Sequence, residues 1–540
     1  MNTKALYSTS VQIPKFSGIN QAGDGFNRNM QFAWEMENVS VEGGSFSPMR
    51  EGLAIAQEVT APIGTLAYLH RRYGGTGIAG TTVLVAVSNG RIYTKLLDGN
   101  DEWQQRFPRL IPPVSPSTTP TEDGNPLTVS DCDWVTYEIN LYPTYSTSAT
   151  YAVGDRVIYD DKLYKCKTAI TTAESWTSGH WEEITDTDPV DVLLLSNAKD
   201  GMICLYGDDL SVVKVATPKK FGVLARYNER IWGAGIDGDP DMLVYSAPFD
   251  PFDWEANAEI PEDGAGDILQ PTWDGDSFVA LRQYGSNLLA VKRNSIWRIY
   301  GTDPGEFYMQ RQYGGGTIEE NTLAVFNDQA YMLGELGMLR YDGEGAYAFL
   351  QEEIEKLMHD KVNHAALDKA CAGLRNGTYC LALPINGSTF CNAVLEYNIE
   401  ERALSLRTEI SVDSFLQINE RLFYTSATYP GRVFEMRDDI GKPLFCKWVS
   451  GYQDLGLKNS IKSAFVLYMM VDSEAPAELR VGIRTEKKLK QKVFMTKPGK
   501  MTRLHLNLQG RIFRLEIQSY SSIPFRISGG IRIDLELDPD

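Results

Sequence analysis

Two stretches of this chain carry side chains whose types and spacing could bind a ligand. Residues 143–187 are rich in aromatic rings, and a flat ring with a polar edge can stack against the apolar face of a sugar. The candidate carbohydrate-binding residues are Tyr151, Tyr164, Trp176 and Trp181. A small domain also needs aromatic side chains to build its own core, so a purely structural role for these rings stays open.

The second stretch is a run of basic residues near the C-terminus. Its members are Arg484, Lys487, Lys488, Lys490 and Lys492, with Lys497 and Lys500 following. Such a cluster favours electrostatic docking of an acidic neighbour. A solvated hairpin is the plainer alternative, and contact with phosphate is a third. Binding of single-stranded nucleic acid would need more interleaved aromatic residues than this run contains.

The chain lacks the patterns that usually indicate catalysis or a bound cofactor. No G-x-S-x-G nucleophile motif occurs, and the five histidines never pair at metal-ligand spacing. Asp237-Gly-Asp239-Pro-Asp241 fails the calcium-loop pattern because no Glu closes a twelve-residue loop. The seven cysteines form no C-x-x-C motif and are expected to be buried thiols. We therefore predict no enzyme activity, no cofactor and no metal.

The charge of the 540 residues is unevenly distributed. The net charge is −19, of which residues 441–540 contribute +7 and the rest −26, a difference that indicates separate modules with different partners. An acidic body repels phosphates, so general nucleic-acid binding is excluded, although such a surface could line a channel through which DNA passes without sticking. The first residues lack an apolar core, and no apolar run is long enough to span a membrane, so we expect neither a signal peptide nor a membrane span.

Short apolar strands separated by polar turns recur along most of the chain. Val83–Val87, for example, turns at Ser88-Asn89-Gly90 into Arg91–Thr94, and similar units follow about every 35–55 residues. That spacing is typical of four-stranded propeller blades. Helical periodicity is sustained only around 348–372, where it predicts one amphipathic helix. The pattern predicts an all-β chain with a β-propeller.

Changes in turn frequency and strand length along the sequence predict four domains. Residues 1–60 have few turns and are expected to form an extended arm with a first strand, and 61–440 the β-propeller body. Residues 143–187 are predicted to be a small inserted β module of three strands. Longer strands with a period of two from 441 to 540 predict an antiparallel β-sandwich or platform.

Three segments of the sequence resemble segments of phage tail hub, tail nozzle and packaged-DNA stabilisation proteins. These segments are Tyr245-Ser-Ala-Pro-Phe-Asp-Pro-Phe-Asp-Trp254, the segment Gly44–Gly52, and the closing segment Phe525–Glu536, which looks like a strand pair. The resemblance implies a non-catalytic head-to-tail connector in the virion, assembled in the host cytoplasm as a homo-oligomeric ring of six copies. It also implies portal and adaptor proteins and tail fibres or spikes as partners, with DNA passing through the ring during genome ejection.

The insert resembles small chitin-binding-type carbohydrate modules. The resemblance lies in Tyr151-x-x-Gly154-Asp155-x-Val-x-Tyr159, Tyr164 and Trp181. It implies a surface glycan as a further partner and leads to an alternative function, a receptor-binding or glycan-active tail protein. A cellular propeller scaffold is a third hypothesis, which the lack of tidy Trp-Asp repeats disfavours.

Overall fold

The computed structural model describes residues 7–55, 57–73, 77–111, 121–140, 142–184, 189–270, 275–335 and 337–538. The chain divides into two compact units, the first formed by residues 1–55, 348–427 and 433–540, and the second by residues 56–347 and 428–432. The described residues are mostly antiparallel β-strands, which confirms the predicted all-β class. No helix in these residues is long and apolar enough to cross a membrane.

The N-terminal segment forms five short strands, where an extended arm and a first strand were predicted for residues 1–60. Its strands are β1 (Tyr7–Ile13), β2 (Ala33–Glu37), β3 (Val39–Glu42), β4 (Ser45–Pro48) and β5 (Leu53–Ala54). The β3–β4 hairpin turns at Gly43 and Gly44, whose φ angles of 56° and 72° suit glycine. All five strands belong to the first unit, and all except β3, which pairs with β4, have a partner strand hundreds of residues further along the chain.

The second unit begins with two four-stranded sheets. Sheet 1 comprises β6 (Ile63–Arg71), β7 (Thr81–Ser88), β8 (Arg91–Leu96) and β9 (Gln104–Phe107), and a small hairpin of β10 (Arg109–Ile111) and β11 (Thr121–Asp123) follows it. Sheet 2 begins with β12 (Asp133–Ile139). The inserted β13 (Arg156–Tyr159), β14 (Lys162–Cys166) and β15 (Trp181–Ile184) come next, before β16 (Val190–Asn197), β17 (Gly201–Tyr206) and β18 (Val212–Lys214) complete sheet 2.

Three further sheets in the second unit repeat the same meander. Sheet 3 comprises β19 (Phe221–Tyr227), β20 (Arg230–Ile236), β21 (Met242–Tyr245) and β22 (Gly266–Leu269). Sheet 4 comprises β23 (Phe278–Tyr284), β24 (Asn287–Lys292), β25 (Ile296–Tyr300) and β26 (Tyr308–Arg311). Sheet 5 comprises β27 (Ala324–Phe326), β28 (Gln329–Gly334), β29 (Gly337–Tyr341) and β30 (Ala346–Ala348).

Successive sheets of the second unit share apolar cores. Leu69 and Val85 of sheet 1 pack with Leu193 and Leu205 of sheet 2, and equivalent clusters join sheets 2 and 3, sheets 3 and 4, and sheets 4 and 5. Strands such as β16 and β17 are buried on both faces, since each sheet lies between two others. Consecutive four-stranded antiparallel sheets packed in this way are the blades of a β-propeller, as predicted.

The first unit contains the helical segment and two more four-stranded sheets. α1 (Gln351–Lys356) continues into a π-helical turn, Leu357–Lys361, and a 3₁₀ turn, His364–Lys369, so the predicted single helix is broken into pieces. Sheet 6 comprises β31 (Cys371–Arg375), β32 (Thr378–Leu383), β33 (Cys391–Asn398) and β34 (Ala403–Val412). In sheet 7, β5 completes β35 (Ser414–Ile418), β36 (Arg421–Thr425) and β37 (Val433–Glu435).

The predicted C-terminal β-sandwich is present, and the N-terminal strands complete it. Its strands are β38 (Cys446–Ser450), β39 (Ile461–Ser473), β40 (Glu478–Thr485), β41 (Leu489–Met495), β42 (Met501–Gly510), β43 (Phe513–Ser519) and β44 (Phe525–Asp538). Sheet A has the order β3-β4-β44-β39-β42 with β1 on β44, and sheet B the order β2-β38-β43-β40-β41. Phe465 of sheet A contacts Phe513 of sheet B with ring centroids 5.1 Å apart. The closing segment is one strand, β44, bent at Gly529–Gly530, where a strand pair was expected.

Candidate functional site

The inserted module is a three-stranded antiparallel sheet formed by β13, β14 and β15. Asp160 and Asp161 link β13 to β14 with φ angles of 51° and 57°, the left-handed pair that a tight hairpin turn requires. In the register, Val157 lies opposite Tyr164 and Cys166 opposite Trp181. The predicted insert ended at residue 187, and residues 185–188 lie outside the described part of the chain.

A small apolar core holds the module together. Its buried members are Val157, Cys166, Ile170 and Trp181. The side chain of Trp181 is only 3% exposed, so this ring cannot offer a face to a ligand. Burial raises the pKa of the Cys166 thiol to about 11, which keeps it neutral and unreactive at physiological pH.

Three rings of the module form a layered stack that runs from the core to the surface. The rings of Trp176 and Trp181 lie 5.1 Å apart at an interplanar angle of 13°. The rings of Tyr159 and Trp176 lie 3.9 Å apart at 6°. Burial decreases along the stack, since Trp176 is half-buried and Tyr159 is 36% exposed. Tyr159 is therefore the outermost ring, although the sequence analysis did not include it among the candidate sugar-contacting residues.

The two predicted tyrosines support this stack from the side. The ring of Tyr164 meets Trp176 edge-on at 4.8 Å, and the half-buried ring of Tyr151 meets Trp181 at 5.2 Å. The hydroxyl of Tyr151 accepts a hydrogen bond from the backbone N–H of Ser146 at 2.7 Å, which fixes its orientation. The structure thus brings all four predicted aromatic residues together. Tyr159 was identifiable as the last residue of the Tyr151–Tyr159 motif quoted above.

Polar groups at the module surface could bind sugar hydroxyls. The imidazole Nδ1 of His180 lies 2.8 Å from Oε1 of Glu174, and the hydroxyl of Tyr145 donates to the backbone carbonyl of Glu174 at 2.8 Å. Burial and the nearby Tyr151 and Glu174 raise the pKa of Tyr145, so its hydroxyl keeps its proton. Lys162 and Glu183 form an ion pair of 2.9 Å on the exposed side of the hairpin. Apolar ring faces beside fixed polar groups suit a carbohydrate.

A buried ion pair fixes the module to sheet 2. The guanidinium of Arg156 is 1% exposed and lies 2.8 Å from a carboxylate oxygen of Asp208 and 3.4 Å from one of Asp209. The same group lies over the ring of Tyr206 at 4.0 Å. Burial alone lowers the pKa of Arg156, but the two aspartates outweigh that effect and raise it. The module is therefore held in one orientation on the edge of the sheet.

The basic run lies on and beside the hairpin formed by β40 and β41, at the edge of sheet B. Arg484 differs from the others because its guanidinium binds the carboxylate of Glu516, so its charge is already neutralised. Lys487, Lys488, Lys490 and Lys492 are exposed. Among the described residues, no group of three or more His, Cys, Asp or Glu side chains could hold a metal ion. In the former calcium candidate, Asp237, Asp239 and Asp241 each pair with a lysine.

The inserted module is similar to a known family of carbohydrate-binding modules. Residues 144–182 match the model of carbohydrate-binding module family 5/12, in agreement with the predicted resemblance of the insert to carbohydrate modules. The match covers the ring stack and the strands β13 and β14. No curated protein matches the chain.

Solved structures similar to the chain include several β-propellers. The β-propeller domain of the Trilobed protease from Pyrococcus furiosus matches at 10% identity, over 69% of this chain and 95% of that chain, with a TM-score of 0.28. PorZ, a surface component of the type-IX secretion system of Porphyromonas gingivalis, matches at 10% identity over 89% and 72%, with a TM-score of 0.31. The WD40 domain of Neurospora crassa Pan2 matches at 10% over 71% and 91%, with a TM-score of 0.26.

Proposed function

We propose that this chain binds a polysaccharide through its inserted module and performs no catalysis. The observation that carries this proposal is the exposed ring of Tyr159, stacked on Trp176, within a segment that matches a carbohydrate-binding module. Sugar rings with equatorial substituents, such as N-acetylglucosamine in chitin and glucose in cellulose, have flat apolar faces. Such a face can stack on Tyr159, while hydroxyl groups reach Glu174 and His180 at the module surface.

Sedimentation with insoluble polysaccharide tests this function. The full chain is mixed with chitin or cellulose, and the bound fraction is measured across protein concentrations. Tyr159→Ala and Trp176→Ala should each weaken binding at least about tenfold, because an aromatic contact contributes roughly 1.4 kcal/mol or more. The proposal is wrong if the unmodified chain stays in solution with both polymers.

A matched control uses a stacked and exposed pair of tyrosines outside the module. Tyr300 and Tyr308 of sheet 4 lie 5.0 Å apart at 11°, and Tyr308 is 56% exposed. Tyr308→Ala should leave polysaccharide binding unchanged. Equal losses in Tyr308→Ala and Tyr159→Ala would show that binding is not specific to the module.

We further propose that the chain is a structural protein of a phage tail, a hub or nozzle that assembles as a ring of six copies. The supporting observation is the segment Tyr245–Trp254, which resembles tail proteins in sequence and packs in the body of the second unit. Trp254 packs against Phe221 at 5.3 Å and covers the core between sheets 2 and 3, and its indole N–H donates to the carbonyl of Pro251 at 3.0 Å. In such a ring the module presents its sugar-binding face outward, and portal, adaptor and fibre proteins are the neighbours.

Electron microscopy of the purified chain, alone and with a portal–adaptor complex, tests the tail proposal. Closed rings, or addition of this chain to the end of the portal–adaptor complex, would support it. Particles that remain monomeric under both conditions would contradict the structural role and leave the polysaccharide-binding proposal intact.

A further inference from the structure

We propose that copies of this chain join head to tail through two oppositely charged sheet edges. The acidic edge comprises residues 249–269, which end in β22, the outermost strand of sheet 3. The basic edge comprises residues 487–501, which contain β41, the outermost strand of sheet B. This inference rests on the proposed self-assembly and identifies the surfaces that would carry it.

The acidic edge is charged, exposed and partly apolar. Between residues 250 and 267 the sequence has seven Asp and Glu and no Lys or Arg. Six of these acids are exposed: Asp253, Glu255, Glu259, Glu262, Asp263 and Asp267. Within the described ranges none of the six forms an ion pair. Phe249, Ile260 and Leu269 are 57%, 50% and 57% exposed on the same segment, more than a solvated loop needs.

The basic edge has the complementary composition. Residues 487–501 contain six lysines and no Asp or Glu. Val493 and Met495 of β41 are each 54% exposed, and Met501 at the start of β42 is 65% exposed. In the register with β40, Lys490 lies opposite Ile483 and Lys492 opposite Val481, both of which are buried. The two lysines therefore point toward the opening between sheets A and B.

Edge strands offer free backbone donors and acceptors to another strand, and lysines on an edge normally oppose such pairing. Here the same lysines would select an acidic strand. A basic strand would be repelled by the lysines and a neutral strand would leave their charges unpaired, whereas an acidic strand pairs with them. β22 fits this requirement, since Asp267 and the exposed Leu269 lie two residues apart on one face. A second copy of this chain thus supplies an acidic strand with the charge that these lysines select, while Val493 and Met495 lie on the other face of β41.

The geometry of such a contact has a consequence for the assembly. Because the two edges are different surfaces, the contact is heterologous, and repeated use produces a ring or an open filament. Salt screens the attraction between the two oppositely charged edges, so association through them should weaken as the ionic strength rises.

Charge reversal in the full chain tests the inference by analytical ultracentrifugation at low and high salt. The unmodified chain should self-associate, and more strongly at low salt. Lys490→Glu/Lys492→Glu and Asp263→Lys/Asp267→Lys should each raise the dissociation constant at least about a hundredfold, as expected for several close charge pairs. An equimolar mixture of the two variants should associate again, because each retains the edge that the other lacks and the reversed edges are also complementary.

A control variant carries the same change of charge away from both edges. Lys369 and Lys442 are exposed, and Lys369→Glu/Lys442→Glu should associate as the unmodified chain does. If a double variant does not fold, Lys492→Glu and Asp267→Lys provide the same comparison with one charge reversed.

Three results would overturn the inference, and they separate it from the proposed function. An unmodified chain that is monomeric at all concentrations overturns both the edges and the self-assembly. Assembly that survives either reversal overturns the edges alone. Variants that dissociate but do not associate when mixed show that each edge binds a different partner, which also overturns the pairing of the edges.

Discussion

Replacing Arg156 with methionine should release the carbohydrate module from its fixed position on sheet 2. Methionine keeps much of the volume of the arginine stem but removes the guanidinium that contacts Asp208, Asp209 and Tyr206. Burial raises the pKa of the Asp209 carboxyl, but attraction to Arg156 and the hydrogen bond from Lys165 outweigh burial and lower it. Without Arg156 that balance changes, and two neighbouring carboxylates lose their main counter-charge.

The expected loss of stability follows from burial. Breaking a buried ion pair by removing one partner costs about 3–5 kcal/mol. The side chains of Asp208 and Asp209 are 28% and 36% exposed, so water can reach both carboxylates after the substitution. The ion-pair contribution should therefore fall at the lower end, about 3 kcal/mol. Loss of the cation–π contact with Tyr206 adds about 1 kcal/mol, for a total near 4 kcal/mol.

Urea unfolding and limited proteolysis measure this effect separately for the module and the sheets. Fluorescence follows all ten tryptophans of the chain, of which Trp176 and Trp181 lie in the module, and cleavage sites specific to the module should appear near residues 142 and 184. Lys162→Met is the matched control, because its ion pair with Glu183 lies on the same hairpin but is exposed, and it should leave the unfolding curve unchanged. An Arg156→Met variant that loses less than about 1 kcal/mol would refute the reasoning that a buried ion pair anchors the module.

Three further predictions follow from buried groups. Trp181→Ala should unfold the module, with a loss of about 3–5 kcal/mol for a buried tryptophan. Tyr159→Ala should weaken binding and lower the melting temperature measured by calorimetry much less, because it removes one stacked contact of a partly exposed ring. Arg230→Met should expose the acidic edge to proteases, because it leaves the carbonyls of Ser246, Glu262 and Gly264 without their donor. Burial raises the pKa of Asp438, but Arg407 and Arg375 outweigh burial and lower this pKa to about 2. The ionised Asp438 carboxylate should therefore stabilise the fold fully above about pH 4, and this stabilisation should be lost as the pH falls toward 2. Asp438→Asn should flatten that part of a pH–stability curve.

Local patterns in the sequence predicted the repeated sheets because each hairpin is encoded by adjacent residues. Val83–Val87, Ser88-Asn89-Gly90 and Arg91–Thr94 became β7, a turn and β8, with Asn89 and Gly90 at positive φ as the turn requires. The division of the chain into two units was harder to predict from the sequence. β2 and β4 are short, and they pair with β38 and β44, more than 400 residues away, so no local period could reveal that strands of the N-terminal segment complete the sandwich.

The candidate site was predictable in composition but not in the role of each ring. The sequence placed several aromatic residues in one small module, and the structure brings them into contact. The sequence could not show that Trp181 faces the core while Tyr159 ends the stack at the surface, because both residues belong to strands with mixed burial. The role of Arg156 was equally hidden, since Asp208 and Asp209 lie on a turn about 50 residues later in the chain.

A rigid mount and an assembly through charged edges would act together in binding. A module on a flexible linker samples many orientations, and each copy must lose that freedom when it binds a polymer. A module held by Arg156 keeps one orientation, so copies related by a regular assembly present their Tyr159 rings at fixed spacings. When those spacings match the repeat of a surface polysaccharide, weak single contacts combine into tight attachment, because each further contact is intramolecular. A soluble oligosaccharide occupies one module and gains nothing from the assembly. Attachment to a polymer surface should therefore depend on both the ion pair and the edges, whereas binding of a short oligosaccharide should depend only on the ring stack.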